Sequence, residues 1–214
     1  MSEWTVFLSR RSNKLQVTLH LADFILCGYS SLKKSVYVTK VSDCFYLAAD
    51  GSQIYTQLVE LRHYQREADF KILLHILHSA MTNDVICVDS EDSDVYILYL
   101  FAVYKICNTM KVYIKQGKAS SKEGVTYHDV SSLASNLVEN VCRLLPALHA
   151  LGGGDYNQPI YGRSKMTIFK SMMKKPQSMQ LLRRQYSTDC VVDDVIDFVL
   201  HVMYNSSKER EDYG

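Results

Sequence analysis

Residues 85–98 read VICVDSEDSDVYIL. The β-branched run VICV predicts a strand covered on both faces, as in the centre of a parallel sheet. The apolar YILYLFAVYKI that follows predicts a buried helix or a strand-helix segment. Between them stand Asp89, Glu91, Asp92 and Asp94. Carboxylates this close repel unless water, protons or a cation relieve them. In an open α/β sheet ligands gather outside the carboxyl ends of the strands, which is where these acids fall. Asp92 and Asp94, two residues apart, can point the same way on an extended chain and share a cation. A solvated acidic loop is the plain alternative.

Upstream, KLQVTLHLADFIL (14–26) places Leu15, Val17, Leu21, Phe24 and Ile25 at helical spacing, ending near Gly28. VYVTKVSDCFYLAADG then changes period to short strands or a ribbon, with Asp50-Gly51 as a turn. A helix is predicted from Glu67 to about Thr82-Asn83, with Ile72, Leu73, Ile76 and Leu77 inward. Downstream, KVYIK (111–115) is a strand, GKASSKEG a polar turn, and SSLASNLVENVCRLL a helix that Ser131 or Ser132 could cap. Three further helices follow: one near Lys165 to Lys174, one around Pro176 to Arg184, and one in DDVIDFVLHVMY. This alternation predicts an α/β fold with a mostly parallel sheet flanked by helices.

Composition narrows the class. The 214 residues are 47% hydrophobic and 22% charged, enough for one good core. Lys and Arg number 24 against 23 Asp and Glu, so the net charge of +1 offers no global attraction to nucleic acid or membrane. The six cysteines stand singly without a CxxC pair and read as buried thiols of an intracellular protein, nuclear or cytoplasmic. MSEWTVFLSRRSNK is no signal peptide, and Val95–Tyr104 is about half a membrane span.

Local clusters say more. Glu67 and Asp69, in EAD, open a helix, where acids gain ~0.3–1 kcal/mol from the macrodipole; simple charge placement explains them when they are taken alone. Asp155 follows three glycines and suits an ordinary turn. Residues 156–188 contain no acid, while Arg163, Lys165, Lys170, Lys174, Lys175, Arg183 and Arg184 stand unopposed. Such a run either neutralises phosphates or forms a solvated helix face. His75 and His78 lack a third ligand nearby and suit packing better than metal binding. LGGGDYNQPIYGRSK lacks the GK[ST] ending of a P-loop, and no GxSxG nucleophile signature occurs.

Taken in order, EAD before a helix, SEDSDV after a hydrophobic strand and LGGGDY before a basic helix resemble the flap-endonuclease and XPG-type nucleases of the PIN-like superfamily. The segment ALHALGGGDYNQPIYGRSKMTIFK is also similar to the ALHAFTGCDTTSAFFGKGK type found in transposon-associated PIN-like proteins. With Asn13-Lys14, LLHILH and DFVLHVMY, the likeness covers most of residues 13–204.

The resemblance implies a metal-dependent phosphodiesterase acting on nucleic acid, most simply a structure-specific DNA endonuclease or exonuclease. It implies Glu67, Asp69, Asp92, Asp94 and Asp155 as catalytic carboxylates holding two ions, Mg²⁺ or Mn²⁺. Arg163, Lys165, Lys170, Lys174 and Lys175 would contact the nucleic acid. The implied organisation is a PIN-like α/β core over 1–150, a helix-turn-helix-like region over 151–205 and a flexible tail over 206–214. The family's opening strand with its terminal Asp has no match, since Asp23 lies inside a helical pattern. A partner chain, self-association or a longer precursor would then supply that portion. The alternative is a catalytically degenerate nuclease fold serving as a nucleic-acid-binding or protein-interaction module.

Overall fold

The computed structural model describes residues 3–28, 33–49, 55–64, 67–105, 110–122, 124–137, 139–153, 158, 162–174 and 196–200. The chain divides into two compact units, Met1–His78 and Ser79–Gly214. Position 150, where a boundary is expected from sequence, lies near the end of a helix inside the second unit. The fold is α/β, with two three-stranded sheets among the described residues. Among the described residues no helix is long and apolar enough to cross a membrane.

In the first unit, helices α1 (Glu3–Ser9) and α2 (Arg11–Gly28) precede an antiparallel sheet of β1 (Val36–Lys40), β2 (Asp43–Leu47) and β3 (Tyr55–Leu58). Helix α3 (Ala68–Ser79) closes the unit, and Asn83 covers the Ser79 carbonyl through both its backbone N–H and its side-chain amide. The expected inward stripe of α2 is not the buried one. Ala22 and Leu26, one turn apart, pack with Val38 and Leu47, whereas Leu15, Leu21 and Phe24 are exposed. Among the described residues this (i, i+4) pair is the buried part of the helix. His75 accepts or donates a hydrogen bond at Thr39 Oγ1 (2.8 Å), and both His75 and His78 set their rings edge-on to Tyr37.

The second unit starts with β4 (Val85–Asp89), which runs parallel to β5 (Lys111–Gln116), and β6 (Thr126–Asp129) pairs antiparallel with β5. The sheet is therefore mixed, because residues 117–125 are too short for the crossover a parallel neighbour needs. Among the described residues β4 pairs with β5 alone, with Val85 and Cys87 exposed. Cys27 is likewise exposed rather than buried, while Cys44 and Cys142 lie in cores.

Helices α4 (Ser93–Ala102), α5 (Val130–Leu137), α6 (Glu139–Leu151) and α7 (Lys165–Lys174) follow, with a further helical stretch at 196–200. α4 is apolar all round, as a core helix must be. It packs on α6, whose Val141, Leu144, Leu145 and Leu148 share the core with Ile168, Met172 and Phe198. The serine-capped single helix expected over 131–145 is two helices, and the cap is Asp129, which accepts hydrogen bonds from Ser132 N–H (2.8 Å) and Ser132 Oγ (2.9 Å). Ser131 instead accepts the Val112 N–H (2.8 Å) and meets the buried Tyr99 hydroxyl (3.1 Å). The helix expected at Pro176–Arg184, much of the last helix and the 206–214 tail lie outside the described residues.

Candidate functional site

The four acids between the last residue of β4 and the first turn of α4 each have a distinct task. Register places Asp89 opposite Lys115, and the two form an ion pair that raises the lysine pKa through its hydrogen bond to the carboxylate. Glu91 accepts the Gly117 N–H at 2.9 Å. Gly117 has φ +83°, and a Cβ there would meet Gly124 O at 2.3 Å, so only glycine allows this backbone approach. Asp92 caps α4 by accepting the Asp94 N–H at 3.0 Å, and its own N–H donates to Ser90 Oγ. Asp94, free of capping duty, points its Oδ1 to His149 Nε2 at 2.8 Å.

His149 lies in the last turn of α6, and its side chain is only 19% exposed against 48% for Asp94. Beyond it, Lys165 Nζ sits 3.1 Å from Nε2 and 3.4 Å from Nδ1. One ring nitrogen cannot both donate to Asp94 and accept from Lys165, so where Nε2 faces the carboxylate as a donor, Nδ1 at 3.4 Å is the acceptor left for the ammonium. Asp94, His149 and Lys165 thus form a carboxylate–imidazole–ammonium chain from three helices.

Gly152 makes this convergence feasible. A Cβ there would fall 2.3 Å from Lys165 Cγ and 3.3 Å from Lys165 Cα, so its absence lets the start of α7 close on the end of α6. Gly162, at φ +72°, turns the chain into α7, and Ser164 caps that helix by accepting the Thr167 N–H at 3.2 Å. Nearby on α4, the Tyr96 hydroxyl is buried without a hydrogen-bond partner among the described residues, and burial followed by the Glu91 charge raises its pKa.

Of the residues predicted from sequence, Asp92, Asp94 and Lys165 belong to one neighbourhood of the second unit. Glu67, exposed ahead of α3, and Asp69, in its first turn, belong to the first unit. Asp155 and Lys175 lie outside the described residues. Arg163 is half-buried in the turn before α7, and Lys170 and Lys174 are exposed along that helix. Lys174 lies roughly 13 Å from Lys165 along the axis. Asp23, on α2, is engaged by Lys40. His149 and Gly152 carry no role in the sequence reading, although both stand in the quoted segment ALHALGGGD.

Carboxylate oxygens suit a hard divalent ion. Asp92 and Asp94 each commit one oxygen elsewhere and keep the other, so the donor chemistry fits such an ion. Among the described residues no group of three His, Cys, Asp or Glu side chains is placed to hold a metal. No family model, curated protein or solved structure matches this chain.

Proposed function

We propose that the chain is a PIN-like, flap-endonuclease-related phosphodiesterase acting on nucleic acid, most simply DNA. Asp92 and Asp94 would offer carboxylate oxygens to Mg²⁺ or Mn²⁺, and Glu67, Asp69 and Asp155 are the further carboxylates that the family resemblance implies. Such ions, when bound, polarise the phosphodiester and activate water. The observation that carries the reading is the 2.8 Å contact of Asp94 with His149 together with the approach of Lys165 to the same ring. Two segments about 55 residues apart along the chain, both quoted for the family resemblance, meet at this spot.

In this reading the chain's own groups divide the work. Lys165, exposed at the N-terminus of α7, supplies a cation for a phosphate oxygen, and Arg163, Lys170, Lys174 and Lys175 extend the contact along the backbone. His149 orients Asp94 and is a positioning residue. The second reading, a binding module without turnover, is favoured by the pairing of Asp94 with His149, which gives that carboxylate a partner inside the protein.

The test is cleavage of branched and single-stranded DNA with Mg²⁺ or Mn²⁺. Asp92→Asn and Asp94→Asn should abolish it, and His149→Gln should lower it by about 10–100-fold. Lys165→Ala should reduce the salt slope of binding by about one phosphate contact. Cleavage unchanged in both Asp variants would refute the enzyme reading. Binding with that salt response but no cleavage would establish the module.

A further inference from the structure

The first unit holds a cavity of about 730 Å³ that the nuclease reading does not use. Three cations line it, Arg11 and Lys14 from α2 and Lys71 from α3, and no acid does. Arg11 and Lys14 are three apart and share one helix face, and neither joins an ion pair among the described residues. Opposing charge is thus left for something else to supply. Leu15 and Val41 give the walls an apolar part, and Tyr64, 80% exposed, supplies an aromatic ring that carries the Arg62 guanidinium over one face, 5.6 Å from its centroid.

The rim is held in a costly conformation. Val41, in the two-residue turn between β1 and β2, has φ +58°, which a β-branched residue rarely adopts. Lys71 Nζ donates to its carbonyl at 2.5 Å, and the His63 N–H donates to Ser42 O at 3.1 Å. Backbone kept in such a state by its surroundings clusters at ligand clamps. The lysine that fixes the turn is one of the three cations. Burial, then the Lys71 charge, lowers the His63 pKa, so that ring adds polarity without more positive charge near neutral pH. The volume lies in the range of small-ligand sites.

We propose that this cavity binds a nucleotide, its phosphate held by Arg11, Lys14 and Lys71 and its base laid against Tyr64 and the apolar wall. The nucleotide is either free or one unit of a strand. The inference stands apart from the nuclease reading, since every residue it uses belongs to the first unit.

The test is calorimetric titration of the full chain with adenosine monophosphate, adenosine, inorganic phosphate and a 5′-phosphorylated tetranucleotide. Adenosine monophosphate should bind more tightly than adenosine or phosphate alone. Arg11→Ala and Lys14→Ala, both exposed on α2, should each weaken it about tenfold without changing the melting point. Tyr64→Ala should weaken the nucleotide and leave phosphate unaffected. A tighter tetranucleotide identifies the source as a strand, and an equal or weaker one as free nucleotide. Asp92→Asn, which removes cleavage in the nuclease reading, should leave this affinity intact. The inference is overturned if no probe binds at millimolar concentration, if phosphate binds as well as the nucleotide, if the Arg11 and Lys14 variants bind normally, or if Asp92→Asn abolishes binding.

Discussion

Asp129 shows how much one side chain can settle. Its hydrogen bonds from Ser132, first the backbone N–H and then the hydroxyl, hold its pKa below the usual carboxylate value. A group with a depressed folded pKa contributes stability fully above the unfolded value near 4, and that contribution is lost as pH falls through the folded value. Asp129→Ala should therefore cost about 1 kcal/mol at neutral pH, the usual worth of an N-cap. Urea titrations of the variant should also show a shallower decline below about pH 4 than the parent chain; parallel acid curves would count against the assignment. The serines beside it were the natural candidates from sequence, because Ser, Thr and Asp all cap helices. What distinguishes them is tertiary: Ser131 is claimed by Val112 and Tyr99, partners that no local pattern encodes.

At the scale of elements, α6 and α7 meet where a side chain is missing. Gly152→Ala puts a methyl group against Lys165 Cγ, and relief requires the start of α7 to retreat. Overpacking of this kind costs about 1–3 kcal/mol. The measurement is twofold, a lower melting midpoint and, under the proposed function, a salt slope of DNA binding reduced toward that of Lys165→Ala. A variant that melts like the parent and binds like it would show that the contact is slack. The extents of α2, α3 and α7 were legible from helical periodicity, and β1 and β2 from alternation, since both reflect local geometry. The position of β4 at the edge of the sheet formed by the described residues was not, because a β-branched run reports what a strand can bury and not how many neighbours it pairs with. Motif likeness singled out Asp92, Asp94 and Lys165, which fall in one neighbourhood of the second unit. His149 was not, because its role appears only when two distant helices come together.

For the whole molecule, proton linkage acts through the buried imidazoles. Burial lowers the pKa of His75, with His78 and His63 adding repulsion, and it lowers that of His63 as well. A histidine held neutral in the folded state contributes stability that is complete above the unfolded pKa of about 6.5 and is lost as pH falls from there toward the folded value. The thermal midpoint should therefore drop between pH 7.5 and pH 5.5. His75→Gln, which retains a hydrogen-bonding group for Thr39, should shrink the drop, and an equal drop in both proteins would contradict the linkage. The mixed sheet of the second unit carries a different consequence, for the order in which the chain assembles. Strands β5 and β6 are joined by residues 117–125, whereas β4 reaches β5 only across the whole of α4. Loop-closure entropy favours the nearer pair, so the hairpin forms as an early nucleus and β4 joins late, the last strand in and the first to leave.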